Sequence, residues 1–169
     1  MSKAVNDLPI RPIRVPELEA AHRLELSCYP AEAAATSEAF AYRQLHFPHY
    51  FLSAWDGAVL IGLACGVRTS ADDCGGDHVK GEHGAEESGM HLCILSVAVD
   101  PGSRRGGIGS ALMNALIRQA EADRLESIIL MCEAGLIGFY ERLGFEYAGI
   151  SSSRHGGIEW HEMKRNLRN

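Results

Sequence analysis

Arg104, Arg105, Gly106, Gly107, Ile108, Gly109 and Ser110 are the residues whose types and spacing speak most directly of chemistry. They follow an apolar run at 92–99 (L-C-I-L-S-V-A-V) and the turn pair Pro101 and Gly102. They precede a stretch of helical apolar period at 108–122. The first backbone N–H groups of a helix have no partner inside it, and the aligned peptide dipoles leave partial positive charge there. Glycine lets a phosphate approach the backbone closely, and Arg104 and Arg105 add full charges. Strand, glycine turn and helix start in that order build an anion site, and the expected ligand carries a pyrophosphate. Two common phosphate patterns are not met. The spacing is neither G-x-G-x-x-G with an acidic residue about twenty positions on, nor G-x-x-x-x-G-K-[ST].

The elements that must hold this turn can be read along the chain. Residues 10–14 alternate like a first or edge strand. Pro16 suits the first turn of a helix over 17–28, and Tyr29 with Pro30 breaks that helix. Thr36 with Glu38 caps a second helix that runs to about His46, before Pro48. Residues 51–55, the turn Asp56 and Gly57, and residues 58–67 read as a β-hairpin. Residues 69–89 are rich in Gly, Asp, Glu and His and lack periodicity, so a solvated loop is expected. After the strand 92–99 and the helix 108–122 come a continuously apolar strand at 127–132 and a short helix at 136–143 stopped by Gly144. Final strands are expected at 145–150 and 158–167. The pattern suggests one α/β domain over 1–169, with a mixed, mainly antiparallel sheet and helices on both faces.

Bulk composition excludes several classes. The chain has 169 residues, 22 acidic against 16 basic side chains, and a net charge of −6. A nucleic-acid partner is disfavoured, because phosphate binding needs a basic face. An acidic balance suits a cationic substrate. No run approaches the roughly 18 apolar residues of a membrane span. Five cysteines without C-x-x-C do not form a disulfide framework, and a reducing cytoplasm is the expected compartment. Cys74, His78 and His83 have metal-like spacing but lack a fourth ligand, so no metal site is expected.

The R-x-x-G-x-G pattern at Arg104, Gly107 and Gly109 resembles that of the GNAT acetyltransferases. Residues 130–145, L-M-C-E-A-G-L-I-G-F-Y-E-R-L-G-F, resemble the strand–helix–strand that follows in that family. The F-Y-E-R-L-G-F wording is similar to the arylalkylamine N-acetyltransferase branch, and residues 151–163 resemble its bacterial members. The likeness is good over 92–163 and loose before that.

The resemblance implies the GNAT fold, acetyl-CoA as cosubstrate and a small primary amine as acceptor, in a monomer or homodimer. It implies a pantetheine arm entering where the glycine-turn strand splays from its neighbour, held by the backbone of Val97, Ala98 and Val99. The pyrophosphate would lie on the turn from Arg104 to Ser110. Tyr140 would act as general acid to the departing thiolate, a task that a phenol of pKa about 10 can perform at neutral pH. Met131, Tyr29, Pro30 and Trp160 would line the amine site, with His155 in the same tail pattern.

The base is open at this stage. The vertebrate branch carries H-L-H on the glycine-turn strand, whereas here 90–95 reads M-H-L-C-I-L. Counting back from the turn puts the two histidine positions at Cys93 and Leu95, with His91 two residues further out on the same strand face. His91 is a candidate base, Cys93 is a poor one at neutral pH, and water relaying to Glu133 is a third route. Polyamine or peptide-amine acceptors and a non-catalytic CoA-binding module are the rival readings. For a polyamine, Glu82, Glu86 and Glu87 would guard the pocket mouth.

Overall fold

In the computed structural model, residues 8–72, 85–104, 106–153 and 155–168 are described. Arg105, Cys74, His78, Glu82 and His83 lie outside these residues, so the expectations that fall on them stay with the sequence. The strands are β1 (Ile10–Pro12), β2 (Phe51–Asp56), β3 (Val59–Thr69), β4 (His91–Val99), β5 (Ser127–Cys132), β6 (Glu146–Ile150) and β7 (His161–Asn166). The helices are α1 (Leu18–Cys28), α2 (Ser37–His46), α3 (Ile108–Ala122) and α4 (Ile137–Arg142). The strands form one seven-stranded sheet in the order β1-β2-β3-β4-β5-β7-β6. Every pair is antiparallel except β4 with β5. That is the expected mixed, mainly antiparallel α/β architecture.

Helices cover both faces because neighbouring strand residues alternate between two cores. Leu52, Ala54 and Ala64 pack with Ile108, Leu112, Leu116 and Ala120 of α3. Phe51, Leu63 and Cys65 pack with Ala21 and Leu24 of α1 and with Phe40 of α2. The apolar stripe of α3 recurs at helical spacing, as expected for a helix buried along one side.

Several boundaries differ from the sequence expectation. β1 stops at Pro12, and a single 3-10 turn, Val15–Glu17, takes up Pro16 before α1 begins. The hairpin strand β3 runs on to Thr69, because it pairs with β4 along its length. α4 is shorter than expected, since Ala134–Leu136 forms a separate 3-10 turn. β7 begins only at His161, because Gly156 and Gly157 both have positive φ in the turn His155–Gly157. Thr36 caps α2 as anticipated, its hydroxyl accepting from Ala39 N–H at 3.1 Å.

Two irregularities shape the sheet centre. Cys65 pairs with Ser96 and Gly66 with Ile94, so Leu95 is an extra residue bulged out of β4. Gly66 is required there, since a Cβ would fall 2.5 Å from the Cys93 carbonyl oxygen. The second irregularity is a split. β4 and β5 pair only from His91 with Ser127 to Ile94 with Leu130. Beyond Ile94 the two parallel strands part.

Candidate active site

The split between β4 and β5 opens a narrow cleft, continuous with solvent. Its walls include Glu25 of α1 and Tyr29 just after it, Ser96 and Val97 of β4, Met131 of β5, Tyr140 of α4, and Trp160 just before β7. Four residues proposed from sequence, Tyr29, Met131, Tyr140 and Trp160, thus meet in one place. Pro30 does not join them. It is exposed, and its carbonyl instead closes a turn by accepting from Ala33 and Ala34 N–H. Ala33 takes the wall position.

The backbone of β4 presents alternate residues to the gap. Asp100 N–H donates to Ile61 O, so by the two-residue period of an antiparallel ladder Ala98 faces β3. Val97 and Val99 face the split. Of the three residues expected to pair with pantetheine, only these two have their amide groups on the open edge. Both carbonyls are engaged: Tyr29 Oη donates to Val97 O at 2.8 Å, and Cys28 Sγ and Arg104 Nε donate to Val99 O at 3.3 and 3.2 Å. Burial pushes the Tyr29 hydroxyl well above the ordinary phenol range, so it remains a donor.

At the end of the split lies the start of α3. Gly107 is its N-cap, with φ +83°, a left-handed conformation that glycine adopts without strain. Gly106 and Gly107 are exposed, so the unpaired N–H groups of the first helical turn, with Ile108, Gly109 and Ser110, open to solvent and can receive an anion.

Tyr140 is 5% exposed and held by edge-on contacts with Phe139 and Phe145, ring centroids 4.9 and 5.8 Å away. Among the described residues its hydroxyl has no hydrogen-bond partner. Burial raises its pKa, with Cys132 as a smaller cause, so the phenol stays protonated. Burial also pushes the Cys132 thiol up to about 11, with Glu133 adding to the effect. A neutral thiol is a weak nucleophile, and this disfavours Cys132 as an acyl carrier.

His91 sits elsewhere. It pairs with the first residue of β5, where β4 and β5 are still joined, and its Nδ1 is 2.7 Å from Ser127 Oγ. It is not part of the cleft wall. Two acids that the sequence placed at the pocket mouth do not line the cleft: Glu86 accepts from Ser70 Oγ, and Glu87 Oε1 lies 2.8 Å from His46 Nδ1. Among the described residues no cluster of three His, Cys, Asp or Glu side chains could hold a metal ion. No helix among them is long and apolar enough to cross a membrane.

Glu25 is the functional candidate that sequence reasoning missed. It is 2% exposed, and its Oε2 accepts from Ala35 N–H at 2.9 Å and from Ser96 Oγ at 3.0 Å. A signal was present. Glu25 lies four residues after Ala21 and beside Leu24, on the buried stripe of α1, where a carboxylate is rare. Glu25, Ala33, Leu95 and Ser96 also border a second chamber, walled by Thr36, Ala39, Tyr42, Arg43, Val67 and His155. His155 Nε2 lies 3.1 Å from Ala33 O, and Trp160 Nε1 donates to His155 O at 2.9 Å. These contacts tie the β6–β7 connection to the α1–α2 connection.

A sheet split between parallel central strands, with a helix start beside it that can receive an anion, is the arrangement that the GNAT resemblance implies. The family comparison agrees. The model of the acetyltransferase (GNAT) family matches residues 18–145, and the chain belongs to that family. An uncharacterized N-acetyltransferase of Porphyra purpurea, ycf52, is 32% identical over 59 residues, covering 35% of this chain and 34% of that one. The histone acetyltransferase TAP1 of Glycine max is 27% identical over 107 residues, covering 54% of this chain and 46% of that one. The chain thus spans less than half the length of these relatives. Among solved structures, the GphF GNAT-like decarboxylase in complex with isobutyryl-CoA has a TM-score of 0.83 at 20% identity, covering 95% of this chain and all of that one. Arabidopsis thaliana Naa50, in complex with the bisubstrate analogue CoA-Ac-MVNAL, has a TM-score of 0.73 at 16% identity, covering 94% and 97%. These likenesses establish the fold.

Proposed function

We propose that this chain is an acetyl-CoA-dependent N-acetyltransferase that passes acetyl directly to a small primary amine of the arylalkylamine type. The observation that carries the proposal is Tyr140: a buried, protonated phenol, without a hydrogen-bond partner among the described residues, lining the split where the thioester arm would lie. The α3 N-terminus with Arg104 would take the pyrophosphate, and Val97 and Val99 would offer their amide groups to the pantetheine. Tyr29 must then release Val97 O to free that acceptor.

The amine arrives protonated, with a pKa near 10, so at pH 7 only about one molecule in a thousand is free base. Making it nucleophilic costs about 4 kcal/mol. Glu25 lines the cleft and is held in place by Ser96 and Ala35, and we assign it the ammonium and its proton. The freed nitrogen attacks the thioester carbonyl, the C–S bond breaks, Tyr140 gives its proton to the sulfur, and the second proton, shed by the acylated nitrogen, restores the phenol. Holding nitrogen and carbonyl in contact supplies about 7–11 kcal/mol of the acceleration. His91, away from the cleft wall, is left out of this path. Tyr29, Met131 and Trp160 provide apolar surface for the body of the amine.

The test is free-thiol release from acetyl-CoA across tryptamine, phenethylamine, spermidine and short peptides. The proposal expects an arylalkylamine to lead, and Glu25→Gln to lower kcat/KM by about 10²-fold. A lead for spermidine or peptides would transfer the reading to those amines. Tight CoA binding with no turnover on any amine would leave a non-catalytic CoA-binding module.

A further inference from the structure

The second chamber carries a buried positive charge that the transfer chemistry above does not use. Arg43 stands on the covered side of α2, three residues after Phe40 and four before Phe47, and is only 5% exposed. A guanidinium keeps its proton in any protein environment. Its neighbours are poor matches for a charge. Nη1 lies 3.6 Å from Cys65 Sγ, and the guanidinium carbon sits 5.7 Å from the centre of the Phe40 ring. Burial pushes the Cys65 thiol up, so that sulfur is neutral and a weak acceptor. Among the described residues no carboxylate comes within 4.0 Å of Arg43.

Buried charges are retained when something pairs with them, because an unpaired one is costly to desolvate. The Arg43 side chain forms part of the chamber wall, together with Ala39, Tyr42 and Val67. Glu25 and Ser96 stand where that chamber meets the cleft of Tyr140. The connected space therefore has Glu25 at the cleft, Arg43, Glu38 and His155 in the wall of the inner chamber, and apolar surface around them. Neither a polyamine nor a simple arylalkylamine brings an anion, so either leaves the guanidinium with Cys65 Sγ and the Phe40 ring.

We propose that the acceptor is an amino acid, its amine directed to Glu25 and its carboxylate paired with Arg43. This rests on the acetyl-transfer reading of the cleft and revises its acceptor, adding a carboxylate to the arylalkylamine. The acceptor carboxylate would give the buried guanidinium an anion, and a fork of N–H donors suits a carboxylate better than a thiol.

The experiment compares matched pairs that differ only in the carboxylate: phenylalanine with phenethylamine, and tryptophan with tryptamine. In wild-type protein the amino acid of each pair is expected to lead in kcat/KM by on the order of 10²-fold, since a site built for a polar group rejects the analogue lacking it. Arg43→Met should collapse that ratio towards one, and Arg43→Lys should keep part of it. Melting curves identify a variant that fails to fold, and the wild-type ratios stand without either variant. Turnover of the amines at equal or higher kcat/KM than the amino acids would overturn this inference and leave the transfer reading intact. An unchanged ratio in Arg43→Met would also overturn it. Absence of turnover with all four compounds, alongside normal CoA binding by calorimetry, would overturn both.

Discussion

Replacing Tyr140 by phenylalanine removes one oxygen and leaves the packing almost untouched. The ring contacts with Phe139 and Phe145, at 4.9 and 5.8 Å, survive in the variant. Among the described residues the hydroxyl has no partner to orphan, so melting should shift by less than about 1 °C, well under the 2–4 °C that 1 kcal/mol produces in a domain of about 150–250 residues. Turnover should behave differently. Burial keeps the phenol protonated, and the neighbouring thiol of Cys132, pushed up to about 11, is itself buried and packed in the core. The departing thiolate then leaves without a positioned acid. General acid catalysis contributes about 10²–10⁴-fold, and a thiolate is a tolerable leaving group, so the lower part of that range, about 10²–10³, applies. At 1.36 kcal/mol per decade this is about 3–4 kcal/mol of transition-state stabilisation. The assay is single-turnover acetyl transfer, which isolates the chemical step, with CoA affinity measured by calorimetry as a control. A chemical step within threefold of wild type, at unchanged CoA affinity, would remove Tyr140 from the mechanism.

Gly107→Glu should weaken CoA binding at least tenfold, because it places a side chain at φ +83° and a negative charge at the mouth of α3; Gly107→Ala, which carries the strain alone, isolates the charge effect in the same titration. His91→Ala should leave the shape of the kcat/KM pH profile unchanged while costing about 1–2 kcal/mol of stability through the lost Ser127 contact, and a displaced acidic limb would return His91 to the proton path. Glu17 is held below the ordinary carboxylate range chiefly by the hydrogen bond from Arg11, whose Nη2 is 2.7 Å from Oε2. A lowered folded pKa means that this stabilisation is present above the unfolded carboxylate value and is lost as pH falls through the folded one. Glu17→Gln should therefore lower the melting temperature by about 1–3 °C at pH 7, as suits a surface pair of under about 1 kcal/mol, and the gap should close on acidification; a gap that persists at pH 2 would refute the pairing as its cause.

Local signals carried the long periodic elements and the glycine turn. The stripe of Ile108, Leu112, Leu116 and Ala120 predicts α3 at its observed bounds, and the unbroken apolar run predicts β5. Both are set by short-range periodicity and by burial on one or both faces. The motif around Arg104 and Tyr140 was legible for the same reason: neighbours in sequence stay neighbours at a helix start or along a short helix. The ends of β1, α4 and β7 were not legible, because each depends on which partner strand or turn takes over the backbone hydrogen bonds.

The proton path shows where local reasoning stops. A two-residue offset along a strand preserves the face, and that placed His91 with the cleft. Distance along the strand decides otherwise, because β4 and β5 separate only after Ile94, three residues further on. The separation and the bulge at Leu95 arise from pairing with β3 and β5, which no local pattern on β4 encodes. Glu25 and Arg43 are the converse case. Each is visible in sequence only as a charge on an apolar helical stripe, which by itself has no stated purpose. Tertiary packing brings α1, α2 and β4 around one space, and only then do the two charges become an acidic and a basic wall of the same chamber. Periodicity determines which face of an element is buried, while the identity of the groups meeting across that buried space is a property of long-range contacts alone.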